Sequence, residues 1–441
     1  MSEIATVKEK AKPFRPMEYA AGFADPAKHA SDLSVLWSWT GTHWAPVEDN
    51  QGEANALKWL VRHDSNHATP ANAKSAHRAA VLWANKLVEP RRDRVILPLQ
   101  NGYLRLDGTG YPVLTPHDPA EGLQHCIKCD YMPDASDPVQ FQKFLDKILP
   151  DKAVQKRVQE YVGYSLIHDA RHQLAQLWIG GGMNGKGVLA NVVQALHSKV
   201  AAVQLDRLEG FALSGMVGAS LIYCDEAPKR GIDEQAIKTL IAGETIQIDR
   251  KYRDPLSVRI QGKWIVLANH IPAIADQSHG FWRRWDVIPF DTTIAQSESI
   301  AGLADILIAE ELHGILNWAL AGLLGLLTRG YFDREVPESV LAAKQAGQLE
   351  SNSVAAWFKD ADMAVVPDMK MPKADVYAEY VAWCRDNGMS PLAMPRFWPR
   401  VQTEHPDVTI GRAHIGAARV YVCNLAAGII PREPDPQKPL I

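Results

Sequence analysis

Residues 176–189 read QLWIGGGMNGKGVL, an apolar run that leads through a glycine-rich loop to a lysine and a second apolar segment. Glycine lacks a Cβ atom, so consecutive N–H groups of such a loop can turn inward around phosphate oxygens while Lys186 reaches the outer phosphates. The loop predicts a nucleoside triphosphate site, although glycines between a strand and a helix also serve tight packing. The residues predicted to bind ATP are Gly180, Gly181, Gly182, Met183, Asn184, Gly185, Lys186, Gly187 and Val188.

One position departs from the phosphate-loop pattern GxxxxGK[ST]. The residue after the lysine normally offers a hydroxyl group to Mg²⁺, and here that residue is Gly187. Magnesium is still expected beside the triphosphate, but direct coordination by a loop hydroxyl is not.

Two adjacent acids follow the next apolar run, in the stretch SLIYCDEAP. Both are assigned to a magnesium site: Asp225 would hold the ion directly or through water, and Glu226 would also polarise the attacking water. An acidic turn at a strand end is the alternative explanation. Because the acids come one helix and one strand after Lys186, the three side chains together meet the charge requirements of phosphoryl transfer.

Three further polar residues complete the predicted catalytic set. Asn269 ends the apolar run in KWIVLANHIP, where it would orient the lytic water or contact the γ-phosphate, although Asn at such a position also forms turns. Arg283 and Arg284 precede another apolar run in HGFWRRWDVIPF. An arginine from a neighbouring subunit stabilises transition-state charge in ring ATPases, whereas a solvated edge would explain the pair without any catalytic role.

A cationic turn lies between the acids and Asn269. The stretch GETIQIDRKYRDPLSVRI reads as two strands around a turn that carries Arg250, Lys251 and Tyr252. A hairpin tipped with cations and an aromatic ring suits a loop that grips a nucleic-acid backbone in a pore. These three residues are therefore predicted to bind DNA.

The elements that must position these residues alternate between strands and helices from about residue 174 to 290. This alternation predicts an α/β fold with the loop at the carboxyl end of a strand. The predicted strands and helices of this block span residues 176–179, 188–196, 221–225, 234–241 and 263–268.

Flanking segments have other patterns. Short apolar runs at 95–99, 103–106 and 111–114 predict a small meander, and 123–131 reads as a further strand. Near the end, helices at 375–385 and 395–401 with a strand at 418–424 suggest a winged-helix domain.

Composition limits the class of protein. The net charge of −4 does not indicate a nucleic-acid binder, but a channel that binds nucleic acid needs only a local group of cations. No apolar run has the length of a membrane span and no cleavable signal opens the chain, so a cytoplasmic location without membrane contact is expected.

Five cysteines, an odd number, argue against a disulfide framework. Cys126 and Cys129, with His125 beside them, lack the second half of a zinc site and are expected to be packing residues.

In their order, the motifs resemble those of the superfamily 3 helicases, in the primase-helicase branch of phages, plasmids and poxviruses. GGGMNGKG is similar to the Walker A motif of that family and IYCDE to its Walker B motif. GETIQIDRKY resembles the segment with the DNA-contacting hairpin, which implies that Lys251 contacts DNA. LANHIP resembles the sensor motif, and GFWRRWDVIPF resembles the arginine-finger segment, with Arg284 ahead of Arg283 as the implied finger.

The resemblance covers nearly the whole chain and implies an AAA+-like P-loop ATPase core. An α+β domain would precede the core, and lid helices and a winged-helix domain would follow it. Together with composition, it divides the chain into a flexible arm (1–30), an N-terminal helical and meander domain (31–168), the ATPase core (169–295), lid helices (296–345), a winged-helix DNA-binding domain (346–426) and a tail (427–441).

The implied function is an ATP-driven replicative DNA helicase of a phage or other mobile element. It would form a ring, typically a hexamer, and translocate on single-stranded DNA at a replication fork, in the bacterial cytoplasm if phage-encoded. The family's primase domain has no room ahead of these motifs, so a separate primase or polymerase chain is expected. Two alternatives stay open: a DNA-binding initiator or loader with ATP as a switch, favoured by Gly187, and a motor acting on protein, disfavoured by the winged-helix pattern.

Overall fold

Alternating apolar runs and amphipathic segments fold into an N-terminal α+β region, a parallel sheet with helices on both faces, and a C-terminal region with its own core. The structure is a computed structural model and describes residues 13–427, apart from positions 33, 92, 107–111, 230, 251, 252, 273, 275, 277, 388, 390 and 417.

The N-terminal region begins with a four-stranded sheet in the order β3-β2-β1-β4 and the helices that cover it. Its elements are α1 (Pro16–Ala20), β1 (His29–Ser31), β2 (Leu36–Trp39), β3 (Trp44–Val47), α2 (Asp49–His63), α3 (Pro70–Trp83) and β4 (Asn85–Lys86). The prediction of a flexible arm over residues 1–30 is wrong for its described part. Tyr19 and Ala20 are buried against α2 and α3, and β1 pairs with two strands, so burial and ladder hydrogen bonds order this segment.

The predicted meander is confirmed as an antiparallel sheet of β5 (Val95–Leu99), β6 (Gly102–Leu106) and β7 (Val113–Thr115). The strand predicted at 123–131 is wrong. This segment makes only isolated bridges at Ile127, because it crosses between β5 and the segment around His197 instead of joining a ladder. Cys126 and Cys129 lie in it as buried free thiols. The described residues include no group of three or more His, Cys, Asp or Glu side chains arranged to hold a metal ion.

Five parallel strands form the central sheet in the order β14-β8-β13-β10-β9. The elements from the helices before this sheet to its last strand are α4 (Val139–Ile148), α5 (Lys152–Ser165), β8 (Ala175–Ile179), α6 (Lys186–Ala195), β9 (Val200–Ala202), β10 (Leu221–Cys224), α7 (Glu234–Ile241), β11 (Thr245–Arg250), β12 (Arg253–Arg259), β13 (Lys263–Ala268), α8 (His279–Trp282) and β14 (Trp285–Pro289).

Both faces of this sheet are buried, which is why its strands read as continuous apolar runs. Trp178, Ile265 and Ile288 point into one core with α5 and α6, whereas alternate residues such as Val266 and Val287 point into a second core with α7. A buried ion pair also fixes α5 to β14: Arg157 Nε and Nη2 donate to the Asp286 carboxylate at 2.7 and 2.9 Å.

Two helices follow the sheet, α9 (Leu303–Arg329) and α10 (Glu338–Ser351). Helix α9 packs along α5 at close range, since a Cβ atom on Gly322 would lie 2.5 Å from the Gln159 carbonyl oxygen. The assignment of these helices as a lid stays a prediction. Among the described residues, no helix is both long and apolar enough to cross a membrane.

The C-terminal region packs three helices against short strands around one core. Its elements are α11 (Ser353–Asp360), β15 (Met363–Val365), β16 (Met371–Pro372), α12 (Lys373–Asp386), α13 (Met394–Glu404), β17 (Ile410–Ile415), β18 (Ala418–Cys423) and β19 (Leu425–Ala427). The two predicted helices and the strand β18 are confirmed, while α11 and β17 were missed. The winged-helix assignment stays a prediction, and positions 428–441 of the predicted tail lie outside the described residues.

Candidate nucleotide-binding site

The glycine-rich loop leaves the carboxyl end of β8 and runs into the first turn of α6. Strand β8 lies between β13 and β14, two strands that come later in the chain, so the loop occupies a point where the strand order reverses. Crevices at such points, outside the carboxyl ends of parallel strands, are the usual ligand sites of α/β sheets. Gly180 N donates to Ala268 O at 3.2 Å, which ties the loop to β13.

Gly185 must be glycine for two reasons. Its φ is +77°, a left-handed conformation that side chains disfavour, and a Cβ atom there would lie 2.5 Å from Ile148 Cγ2. Gly187 is different, because nothing lies within 4 Å of a Cβ atom built on it. Packing therefore leaves room for a hydroxyl-bearing side chain at the position where the sequence lacks one.

Lys186 is held at the centre of the site. Its Nζ donates to Gly180 O at 2.7 Å and to Asn269 Oδ1 at 3.2 Å, so the predicted lysine and the predicted sensor asparagine are in contact. Partial burial lowers the pKa of Lys186. The negative charges of Asp225 and Glu226 act in the opposite direction and raise this pKa. The ammonium group is thus partly desolvated and close to two carboxylates before any phosphate is bound.

The two acids follow β10 and are exposed. Ala227 N donates to Leu267 O at 2.9 Å, which fixes the turn against β13. Tyr223, which sequence reasoning missed, donates its hydroxyl to Asp225 Oδ1 at 2.6 Å, and burial, followed by this hydrogen bond, raises the pKa of the phenol. Exposed carboxylate oxygens are the ligands that Mg²⁺ prefers, so Asp225 and Glu226 fit a magnesium site.

Loop, acids and asparagine line one cavity of about 360 Å³. Its lining consists of Gly182, Met183, Asn184, Gly185, Lys186, Gly187, Val188, Asp225, Glu226, Leu267, Ala268 and Asn269. Gly180 and Gly181, which are also predicted to bind ATP, are not among these lining residues, and Asn184 lines the cavity but bonds within the protein. Its side chain is buried, donates to Phe290 O at 3.3 Å and accepts from Lys186 N at 3.4 Å, so it holds the loop in shape.

The arginines lie at the opposite edge of the sheet. Trp285 pairs with Ala175 and Pro289 with Ile179, so Arg284 comes before the amino end of β14, whereas the cavity lies beyond its carboxyl end. Five strand residues separate the two edges by about 16 Å. The structure therefore does not bring Arg283 or Arg284 into the cavity of its own chain.

The two arginines differ in exposure. Arg283 is exposed and donates from Nη2 to Gln173 Oε1 at 3.2 Å. Arg284 is half-buried and donates from Nη1 to Gly280 O, and burial, followed by the charge of Arg283, lowers its pKa. Arg283 is the more available of the two for contact with another chain.

The predicted hairpin is confirmed as β11 paired with β12, with an irregularity between Ile248 and Arg250. Its base adjoins the amino end of β13, the sheet edge opposite the cavity. Arg250 ends β11, while Lys251 and Tyr252 lie outside the described residues. A cleft of about 670 Å³ lies at the hairpin base, lined among others by Thr245, Arg259 and the N-terminal Lys86.

Comparisons with known proteins match two parts of the chain to family models. Residues 24–150 match "D5 N terminal like", and residues 178–284 match a family of unknown function, DUF5906. A "Putative helicase 121R" of Invertebrate iridescent virus 3 is 22% identical over 292 residues, which cover 57% of this chain and 30% of that protein. A "Putative helicase L207/L206" of Acanthamoeba polyphaga mimivirus is 26% identical over 186 residues, 39% of this chain and 19% of that protein. The chain thus spans less than a third of either relative.

A solved structure shares the fold. The apo form of the NrS-1 C-terminal region aligns over 91% of this chain and 96% of its own length, with a TM-score of 0.50 and 12% identity. At that identity the likeness concerns the fold alone.

Proposed function

This chain belongs to the phage and viral primase-helicase family, and on that premise we propose that it is an ATP-dependent replicative DNA helicase that translocates on single-stranded DNA. The observation that carries the proposal is the shared cavity of the glycine-rich loop, the two acids and Asn269. It supplies what phosphoryl transfer needs: backbone N–H groups and a cation for phosphate, carboxylates for a metal, and an amide for water.

In the proposed reaction, water attacks the γ-phosphorus and the bond to the β-bridging oxygen breaks, which releases ADP and inorganic phosphate. Lys186 exchanges its contact with the Gly180 carbonyl for the outer phosphates, and Glu226 orients the water and accepts its proton. Asn269 contacts the γ-phosphate or the water. Magnesium bound by Asp225 and Glu226 would neutralise charge on the β- and γ-oxygens.

We propose assembly into a ring, a hexamer, and the position of the arginines supports an active site shared between neighbouring subunits. Neither reaches the cavity of its own chain, but an arginine at the amino edge of β14 is free to enter a neighbour's cavity. The exposure of Arg283 favours it over Arg284 for this role. The hairpin residues Arg250, Lys251 and Tyr252 would face DNA in the ring, and the C-terminal region would be a winged-helix domain. A separate primase or polymerase chain stays a prediction.

A second function, an initiator or loader that uses ATP as a switch, is favoured by one observation, the missing hydroxyl at Gly187. Strand displacement on a forked duplex separates the two. The helicase proposal expects unwinding that requires ATP and Mg²⁺ and single-stranded DNA that stimulates hydrolysis, with Glu226→Gln binding ATP but failing to unwind. ATP-dependent DNA binding without unwinding or multiple turnovers by the unmodified protein would favour the switch.

A further inference from the structure

The β17–β18 hairpin of the C-terminal region presents a basic face to solvent. Arg412 pairs with Tyr421 and His414 with Arg419 across the two antiparallel strands. Directly paired residues share one face of a hairpin, and so do residues two apart along a strand. All four side chains are exposed. This basic face is therefore composed of Arg412, His414, Arg419 and Tyr421.

Aromatic rings hold the cations of this face in position. The Arg412 guanidinium lies 4.6 Å from the centre of the Tyr421 ring, and one of its nitrogens donates to the Tyr421 hydroxyl. Lys373, at the start of α12, lies 4.7 Å from the ring of Trp398 and 5.7 Å from that of Tyr421. Such contacts reduce the conformational freedom that a flexible cation would otherwise lose on binding a ligand.

Carboxylates do not neutralise this surface. Within the part of the chain that the structure describes, Arg412, Arg419 and Lys373 form no ion pair, whereas Lys238 pairs with Asp276 at 2.6 Å. The hydrogen bond from Arg412, followed by the charge of Arg412 and then that of Lys373, lowers the pKa of Tyr421, in keeping with the cations that surround it. A neighbouring cavity of about 570 Å³ is lined by Lys370, Arg412 and His414, and Asp368 also lines it.

The arrangement suits phosphate groups better than unpaired bases. Proteins that bind single strands stack bases on free aromatic faces, but here the cations of Arg412 and Lys373 already lie against the ring of Tyr421, the exposed aromatic residue of this face. Among the exposed residues of the adjacent helix α13, which are Met394, Pro395, Arg396, Pro399, Gln402 and Thr403, Arg396 is the one cation, so the hairpin face carries more positive charge than this helix. Phosphate contacts position a protein on a duplex without reading its sequence.

We propose that the β17–β18 hairpin, together with Lys373, binds the phosphate backbone of duplex DNA without sequence preference. This inference rests on the proposed function, which brings the chain to the duplex ahead of a replication fork. It assigns duplex contact to the hairpin instead of to α13.

The test measures binding of the full chain to a blunt duplex and to a single strand of equal length, across a series of salt concentrations. Arg412→Ala/Arg419→Ala should weaken duplex binding, and the slope of log K against log [salt] should become shallower by about 0.9 for each phosphate group that the variant no longer neutralises. Arg396→Ala on α13 is the matched control and should stay within about twofold of the unmodified protein. Tyr421→Phe keeps the ring and should bind nearly normally, whereas Tyr421→Leu should bind less tightly.

Three outcomes would overturn the inference: no duplex binding by the unmodified protein, an unchanged affinity and salt slope in the double variant, or a larger loss for the single strand than for the duplex. A preference for particular duplex sequences would be a fourth outcome that contradicts it. ATP hydrolysis without DNA should be unaffected in the double variant, since the nucleotide cavity is on other elements. Failure of the proposed function would give a different result: the unmodified protein would bind duplex DNA but would not hydrolyse ATP.

Discussion

Lys186 Nζ already donates to two oxygen acceptors, Gly180 O and Asn269 Oδ1, which leaves one of its three N–H groups for a phosphate oxygen. Asn269 is thus in a position to sense whether the lysine is engaged by nucleotide. Tyr223 has a similar supporting role, because its hydrogen bond fixes one carboxylate oxygen of Asp225. Contacts of this kind hold the reacting groups in place, which is where much of the catalytic power of phosphoryl-transfer sites comes from.

Gly187 gives the sharpest test at the residue scale. Because space is open beside it, Gly187→Ser should fold and should stabilise α6 by about 0.5 kcal/mol through helix propensity. The new hydroxyl lies where phosphate loops ligate Mg²⁺, so we expect half-maximal ATPase at a lower Mg²⁺ concentration. Gly187→Ala is the control, because it changes helix propensity without adding a ligand. Identical magnesium curves for the Ser and Ala variants would refute hydroxyl coordination at this position.

Among the elements, the loop between β8 and α6 contains glycines that packing requires and glycines that it does not. Gly185→Ala must adopt a left-handed φ and displace Ile148, so it should lower the free energy of unfolding by on the order of 2 kcal/mol and weaken ATP binding. Gly181→Ala meets no atom within 4 Å and should keep its stability. Urea unfolding and nucleotide titration of both variants check this. Equal effects at the two positions would mean that the loop does not have this shape.

Strand β13 begins with a buried lysine that predicts a pH effect on stability. Lys263 Nζ donates to Ile167 O and Gln261 O, and burial lowers its pKa to about 7. With an ordinary lysine pKa, the unfolded chain binds more protons than the folded chain between about pH 7 and 10. Lys263 therefore makes the free energy of unfolding rise with pH through that window, by up to about 1.4 kcal/mol per pH unit. The difference in unfolding free energy between the unmodified protein and Lys263→Met should therefore increase by about 2 kcal/mol from pH 7 to 9. A constant difference would show that Lys263 does not titrate there.

Local patterns predicted the elements that carry the site but not how they are held together. Apolar runs, and the glycine and polar residues that end them, are visible in the sequence. They predict the glycine loop, the strand ending at Cys224 and the helix Glu234–Ile241. Asn184 was assigned to ATP because it lies in the loop, and its burial depends on the Phe290 carbonyl from a distant strand. The ordered segment at residues 13–31 was missed for the same reason, since its weak local pattern is compensated by long-range packing on α3.

At the scale of the whole molecule, the central sheet separates two functions. The nucleotide cavity lies at the carboxyl edge of the strands, whereas the arginines and the base of the β11–β12 hairpin lie at the amino edge. If one of these arginines takes part in hydrolysis, as we propose, a neighbouring chain must supply it. Parallel strands span the distance between the two edges, and the buried Arg157–Asp286 pair fixes α5 to β14.

This separation predicts complementation between two inactive proteins. Arg283→Ala/Arg284→Ala subunits keep an intact cavity, and Lys186→Ala subunits keep their arginines, so a mixture should regain ATPase activity to at least about tenfold above the average of the two. Unmodified protein mixed with Lys186→Ala serves as the control for subunit exchange. If exchange occurs and the mixture shows only the average, neither arginine acts across an interface.

The central claim, that the glycine-rich loop and the two acids hydrolyse ATP, is tested most directly by steady-state, magnesium-dependent ATPase of the unmodified chain and of Lys186→Ala, with and without single-stranded DNA. Thermal unfolding of both proteins checks that the variant is folded. We expect turnover that DNA stimulates in the unmodified chain and a loss of at least about a hundredfold, or about 2.7 kcal/mol in the activation barrier, in the variant. Undiminished, DNA-stimulated hydrolysis by folded Lys186→Ala protein would contradict this assignment.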